Sequence, residues 1–205
     1  MEWENTFFSN PSNQILARID LDFLMKEMDS PEIKEKIPNF EDGKNCILKT
    51  GEKQDQTAAI NIYGLIHAKY LETQDGINQM ITKYQDHLFK TCPRVVCQKT
   101  FCFPIGISDD ISINTVKMYC PKCQEIYNVN DGSFSVIDGA FFGTHWISKL
   151  IELNPQIHSN EPPNQNYIPR IFGFKIYHPP NDIHNEEENK KEQEIRSKQN
   201  CFSRK

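Results

Sequence analysis

Two short cysteine loops, Cys92-Pro-Arg-Val-Val-Cys97 and Cys120-Pro-Lys-Cys123, constrain this chain more than anything else in it. Each loop offers a pair of thiolates, and two such pairs supply the four soft ligands that a tetrahedral Zn2+ ion requires. A proline follows the first cysteine of each loop, and its fixed φ restricts the chain where it must bend back toward an ion. The 22 residues from Gln98 to Tyr119 are enough for a hairpin or loop that returns the second knuckle to the first. Cys102 competes for a ligand place, because Cys97 and Cys102 are likewise separated by four intervening residues. Cys92 is preferred because Cys92-Pro93 mirrors Cys120-Pro121. The expected site is therefore Cys92, Cys97, Cys120 and Cys123 around one structural Zn2+ per chain. A dithiol redox role for Cys120 and Cys123 lacks the strand-to-helix setting that such a pair needs.

The remaining cysteines, Cys46, Cys102 and Cys201, are scattered singly, a pattern of a reducing compartment rather than of a disulfide framework. No apolar run follows a basic start, and no apolar stretch of about 20 residues is present to span a bilayer. These features predict a cytoplasmic or nuclear protein with no membrane partner. A net charge of -5 with dispersed Lys and Arg argues against a phosphate-gripping face, so protein partners are expected rather than nucleic acid. The rival reading is a zinc-ribbon module that binds nucleic acid or a transcription complex.

The opening, from Met1 to Ile19, carries Trp3, Phe7 and Phe8 but shows no clear period. Asp20 is placed to cap a short helix with Leu21, Leu24, Met25 and Met28 at helical spacing. Ser30-Pro31 starts a second helix that runs through Ile37, and Lys44 to Leu48 adds a turn. Lys49 to Gln56 reads as a loop. Thr57 to Leu71 is the best helix in the chain, with apolar residues on a wide face and Gly64 marking a close approach of some neighbour to its backbone. His67 reads as a satisfied core histidine. A further helix with Ile77, Met80, Ile81, Tyr84 and Leu88 is expected to fold back on it as an antiparallel partner. Val116 to Tyr119 and Ile126 to Val129 read as strands flanking the second knuckle, and Asp131-Gly132 as a turn into a strand at Phe134 to Ile137. Thr144 is placed to cap a helix from His145 to about Leu153. Pro162-Pro163 reads as a linker, and Arg170 to Tyr177 as a strand with Phe172, Phe174 and Ile176 on one face. Beyond Pro180 the composition turns to Asn, Glu, Gln and Lys and cannot bury enough surface to order itself.

Seven segments in this order, Tyr63-Gly-Leu-Ile-His-Ala-Lys-Tyr70, Gly76-Ile-Asn-Gln-Met80, the Cys92 loop, Pro104-Ile-Gly-Ile-Ser-Asp109, Val116-Lys-Met-Tyr-Cys-Pro-Lys-Cys123, Asp138-Gly-Ala-Phe-Phe-Gly-Thr144 and Pro169-Arg-Ile-Phe-Gly-Phe-Lys-Ile176, together resemble the regulatory (beta) subunit family of casein kinase II. The resemblance runs from about Trp3 to Pro179. It implies an α+β protein: an all-helical N-terminal domain (1–90), a zinc-ribbon-like dimerisation module (91–160), a kinase-docking strand or hairpin (161–180) and a charged tail (181–205). It implies a non-catalytic protein that forms a homodimer, docks two catalytic kinase subunits, stabilises them and modulates which protein substrates they choose. By matching position the zinc ligands are Cys92, Cys97, Cys120 and Cys123. Pro93, Val95 and Ile126 fall where the family buries apolar side chains across its dimer seam, and Phe172, Phe174 and Ile176 fall on the hairpin that enters the kinase's small lobe.

A non-catalytic role agrees with the residues themselves. The chain has no glycine-rich phosphate loop with its lysine, no His-Arg-Asp loop and no Asp-Phe-Gly. It departs from the family in lacking the acidic run before the long helix, where Lys49-Thr-Gly-Glu-Lys-Gln-Asp-Gln56 is short and nearly neutral, and in lacking the N-terminal serine cluster. Phe172 stands where the family commonly has tyrosine, and an extra Tyr177 precedes His178.

Overall fold

The computed structural model describes residues 2–129, 134, 136–158 and 170–176. Residues 1–165 and 166–205 form separate units. The chain is α+β: helices through its first half, then a small antiparallel sheet that carries the cysteines.

The long helix starts where a carboxylate meets it: Asp55 accepts hydrogen bonds from the N–H groups of Thr57 and Ala58. No proline interrupts the residues that follow. Because apolar residues lie nearly all round this helix, it is suited to a central position and is wrapped by earlier elements. Those elements are α1 (Glu2–Ser9), α2 (Leu21–Met28), α3 (Pro31–Lys36) and α4 (Phe40–Leu48), around α5 (Gln56–Tyr70). Asp20 caps α2 and Pro31 opens α3, as the sequence indicates. Two elements exceed expectation. α4 begins at Phe40 because Asn39 adopts a left-handed φ of 55° that turns the chain into the helix. α1 forms where no period was read, since Trp3 and Phe7, four residues apart, stack at 5.1 Å and both pack against Tyr63. α4 lies so close to α5 that a Cβ on Gly43 would sit 2.7 Å from that of Ala58.

α6 (Gln74–Gln85) follows, capped by Thr73, but it is not the main partner of α5, which rests most extensively on α4. The connection explains this correction. Gly76 packs directly on the Tyr70 carbonyl, where a Cβ would approach to 2.2 Å, and α6 is then tied to the segment before α2. Gln79 accepts from Arg18 N–H and donates to Arg18 O, and Lys83 donates to Gln14 O.

The sheet has the order β1 (Phe103–Ile105), β2 (Lys117–Tyr119), β3 (Ile126–Asn128), antiparallel throughout, with Phe103 opposite Tyr119 and Tyr119 opposite Ile126. The expected strands around the second knuckle are present. β1, inside the stretch read only as a hairpin or loop, completes the sheet. Phe103 stacks on Tyr84 of α6 at 4.3 Å and meets Trp146 edge-on. Trp146, fully buried, donates its indole N–H to Pro104 O.

Three local expectations change. No strand forms among the described residues of 134–137; Ile137 N–H donates to Phe134 O and closes a turn. α7 (Trp146–Leu153) has His145 rather than Thr144 at its N-cap, because the Thr144 hydroxyl is drawn to the Asp109 carboxylate. The stretch from Arg170 is two strands, β4 (Arg170–Ile171) and β5 (Phe174–Lys175), not one, so Phe172, Phe174 and Ile176 do not share a strand face. Phe172 and Gly173 form the two-residue loop, both at positive φ (49° and 86°), as a type I′ hairpin turn requires. Asp131-Gly132, Pro162-Pro163 and the tail from 181 lie outside the described residues.

Candidate metal centre

Each knuckle closes by the same device. In the first, Val95–Cys97 forms a 3-10 turn, Gln98 and Lys99 take left-handed φ, and Cys92 N–H then reaches Thr100 O at 2.7 Å. In the second, Gln124 takes a left-handed φ of 63° and Cys120 N–H reaches Glu125 O at 3.0 Å. The left-handed residue directly after the second cysteine reverses the chain, so both sulfurs of a pair stay on the inside. The longer first loop spends its extra residues on the 3-10 turn.

The four sulfurs of Cys92, Cys97, Cys120 and Cys123 converge, all within 4.8 Å of one another and all buried. Cys92 Sγ lies 3.9 Å from Cys123 Sγ. A tetrahedral ion with metal–sulfur bonds of about 2.3 Å sets its sulfurs about 3.8 Å apart, so the donor set fits a structural metal ion with no position left for substrate. Among the described residues these four make the cluster; Cys102 stands beside it rather than in it.

Hydrogen bonds favour a thiolate at Cys120. The Cys120 thiol is held well below its ordinary range, first by the Cys102 side chain and then, against the cost of burial, by the N–H groups of Cys123 and Lys122. Tyr127 Oη lies 3.2 Å from Cys123 Sγ, and Arg94 N–H donates to Cys92 Sγ at 3.4 Å. Burial pushes the Cys97 thiol up. Sequence reading missed the contribution of Cys102 and Tyr127 to these contacts. The available signal was Cys102 itself, a fifth cysteine next to the motif.

The other named residues are placed as follows. Pro93, Val95 (72% exposed) and Ile126 (47%) sit on the outside of the module, next to ligands that are buried. Phe172 (96%) and Phe174 (79%) are exposed on the hairpin, with Ile176 beside them at 38%. His67 is fully buried and has no catalytic surroundings: Nε2 accepts from Ala17 N–H, Nδ1 faces Phe141 O, and burial lowers its pKa to about 4. Cys46 is a core thiol that donates to Gln56 Oε1, and burial pushes it up. No helix among the described residues is long and apolar enough to cross a membrane.

With this geometry in hand, comparison with known proteins gives a consistent answer. The family model for the casein kinase II regulatory subunit matches residues 2–175. The chain is 33% identical over 183 residues to casein kinase II subunit beta of Schizosaccharomyces pombe, covering 85% of this chain and 79% of that protein. It is 34% identical over 186 residues to the Dictyostelium discoideum subunit beta (86% and 69%). It is 31% identical over 184 residues to the Drosophila melanogaster subunit beta' (85% and 84%). The match spans the helices, both knuckles and the hairpin, and the chain belongs to the casein kinase II regulatory subunit family, a regulator and not itself a kinase.

Proposed function

We propose that this chain is a zinc-stabilised homodimer that docks two casein kinase II catalytic subunits, stabilises them and modulates their choice of protein substrate. The observation that carries the docking half of this reading is the hairpin. Two phenyl rings and an isoleucine left in water on a short hairpin cost free energy unless something covers them, and aromatic anchors of this kind commonly dominate interface energy. Phe172 holds a left-handed φ, so the tip presents its ring at a position that ordinarily selects Gly or Asn. Supporting the dimer half, Pro93, Val95 and Ile126 are apolar and exposed beside a buried ligand set. An all-sulfur, closed donor set suits Zn2+. A protein with reduced thiols of this kind belongs in the cytoplasm and nucleus.

The decisive experiment is assembly with a casein kinase II catalytic subunit, with masses read by light scattering. The zinc-loaded protein should elute as a dimer and, with the kinase, as a complex of two chains of each. Phe174→Ala should weaken the complex by about 30-fold or more while leaving the dimer intact. Undiminished binding by a Phe172→Ala, Phe174→Ala double variant would overturn the docking assignment. A net charge of -5 counts against the nucleic-acid alternative, which favours a dense basic face.

A further inference from the structure

The sulfur chemistry of the module extends past its four ligands. Cys102 is fully buried and stands one residue ahead of β1, while Cys120 stands one residue past β2. The pairing of Phe103 with Tyr119 therefore sets these two cysteines opposite each other. Neither amide points at the other: Cys102 N–H donates outward to Lys90 O (2.8 Å) and Cys120 N–H to Glu125 O (3.0 Å). This is the pattern of a non-hydrogen-bonded antiparallel pair, in which facing side chains come closest. On the other side of β2, Tyr127 of β3 brings its hydroxyl to 3.2 Å from Cys123 Sγ. Tyr127 thus meets Cys123 directly, while Cys102 faces Cys120 across the pair, its thiol resting 3.8 Å from Thr100 O and free to turn to the facing sulfur once that sulfur is a metal-bound thiolate.

The charge balance decides which way these contacts run. Four thiolates around a doubly charged cation leave excess negative charge in a buried place. A further thiolate or a phenolate there would add repulsion with no water to screen it. An S–H or O–H turned toward these sulfurs offsets part of that charge, and Cys102 and Tyr127 are the side chains placed to supply one. We propose that Cys102 and Tyr127 form the outer sphere of the metal centre, each donating a hydrogen bond to one thiolate of the second knuckle and so slowing loss of the ion. The inference rests on the four-cysteine metal reading above. An S–H or O–H donor draws charge from the thiolate, which relieves repulsion among the four ligands and makes each sulfur a poorer proton acceptor. Such partners typically account for 10- to 100-fold in metal affinity.

The test uses the full chain and its Cys102→Ala, Cys102→Ser and Tyr127→Phe variants. Zinc content is measured first, then the rate of zinc transfer to a chromophoric chelator, and then the sulfur-to-metal charge-transfer bands of the cobalt-substituted proteins. Cys102→Ala and Tyr127→Phe should each release zinc about tenfold faster and shift those bands, while Cys102→Ser, whose hydroxyl still donates, should stay near the starting protein in both. If Cys102→Ala and Cys102→Ser speed release alike with unshifted bands, Cys102 merely fills space and the proposal fails there. Tyr127→Phe, which keeps the ring, overturns its own half if rate and spectrum are unchanged. A starting protein that binds no zinc breaks the metal reading instead, and is told apart by the first measurement alone.

Discussion

The helices around α5 and the sheet that carries the cysteines are stabilised by different physics. In the helical region Leu24, Met28, Ile62, Tyr63 and Ile66 are fully buried, and area removed from water holds the elements together. In the cysteine module each strand is three residues long, too short to hold by its ladder alone, and the centre is filled with sulfur. The apolar core of the helices continues into the sheet at Phe103 and Met118, whereas the knuckles gather four buried sulfurs suited to a metal ion. The two regions meet where Phe141 of the 3-10 turn Gly139–Phe141 lies against Gly64 and accepts from His67, and again where Tyr84 of α6 stacks on Phe103 of β1.

Removing the ion is the largest test of that contrast. Chelation, or Cys120→Ser, should abolish hydrogen-exchange protection through 92–129 while α5 retains its own. Structural zinc sites contribute on the order of 10 kcal/mol of apparent free energy to the fold around them. Equal loss of protection in α5 would mean that the two regions are one cooperative body. Acid probes the helical side next, and is best done on metal-free protein so that acid-driven loss of the ion plays no part. His67 has its pKa lowered from 6.5 to about 4. The unfolded chain takes up a proton as pH falls below 6.5, whereas the native one refuses it until about 4. Stability is therefore full above pH 6.5 and declines across that window, by about 3 kcal/mol in all. Denaturant titrations from pH 7 to 4 should show this slope, and His67→Leu should flatten it.

What the sequence disclosed follows the same division. The knuckles were readable residue by residue, because a metal demands fixed atoms at fixed spacing. α5 was readable from its unbroken apolar pattern, and even the close approach at Gly64 could be anticipated from a glycine in a good helix. The neighbours of α5 were not, since whether α4 or α6 lies against it depends on Gly43 and Gly76 meeting particular backbone atoms, information that no periodicity carries. α1 was hidden because its stabilisation is the stack of Trp3 and Phe7 on Tyr63, some 55 to 60 residues away, rather than its own pattern. The hairpin reads as one strand in sequence because alternation continues through Phe172 and Gly173; only their positive φ values reverse the chain.

Two smaller substitutions sharpen the boundary between the regions. Gly64→Ala would improve an open helix by about 1 kcal/mol. Here its Cβ would sit 2.1 Å from the Phe141 ring, so the sign should invert to a loss of about 2 kcal/mol, with Phe141 displaced and the turn it belongs to loosened. A gain in melting temperature would show that the seam is slack. Thr73→Ala should have the least effect. Its hydroxyl caps α6 by accepting from Gly76 N–H and donates to Tyr70 O, and a lost cap costs about 1 kcal/mol. If the helical region stands on its own core, that loss should be the same with the ion bound and with it removed, since sites without shared partners add. A loss measurable only in the metal-bound protein would place α6 in the cysteine module's cooperative unit, through the stack of Tyr84 on Phe103.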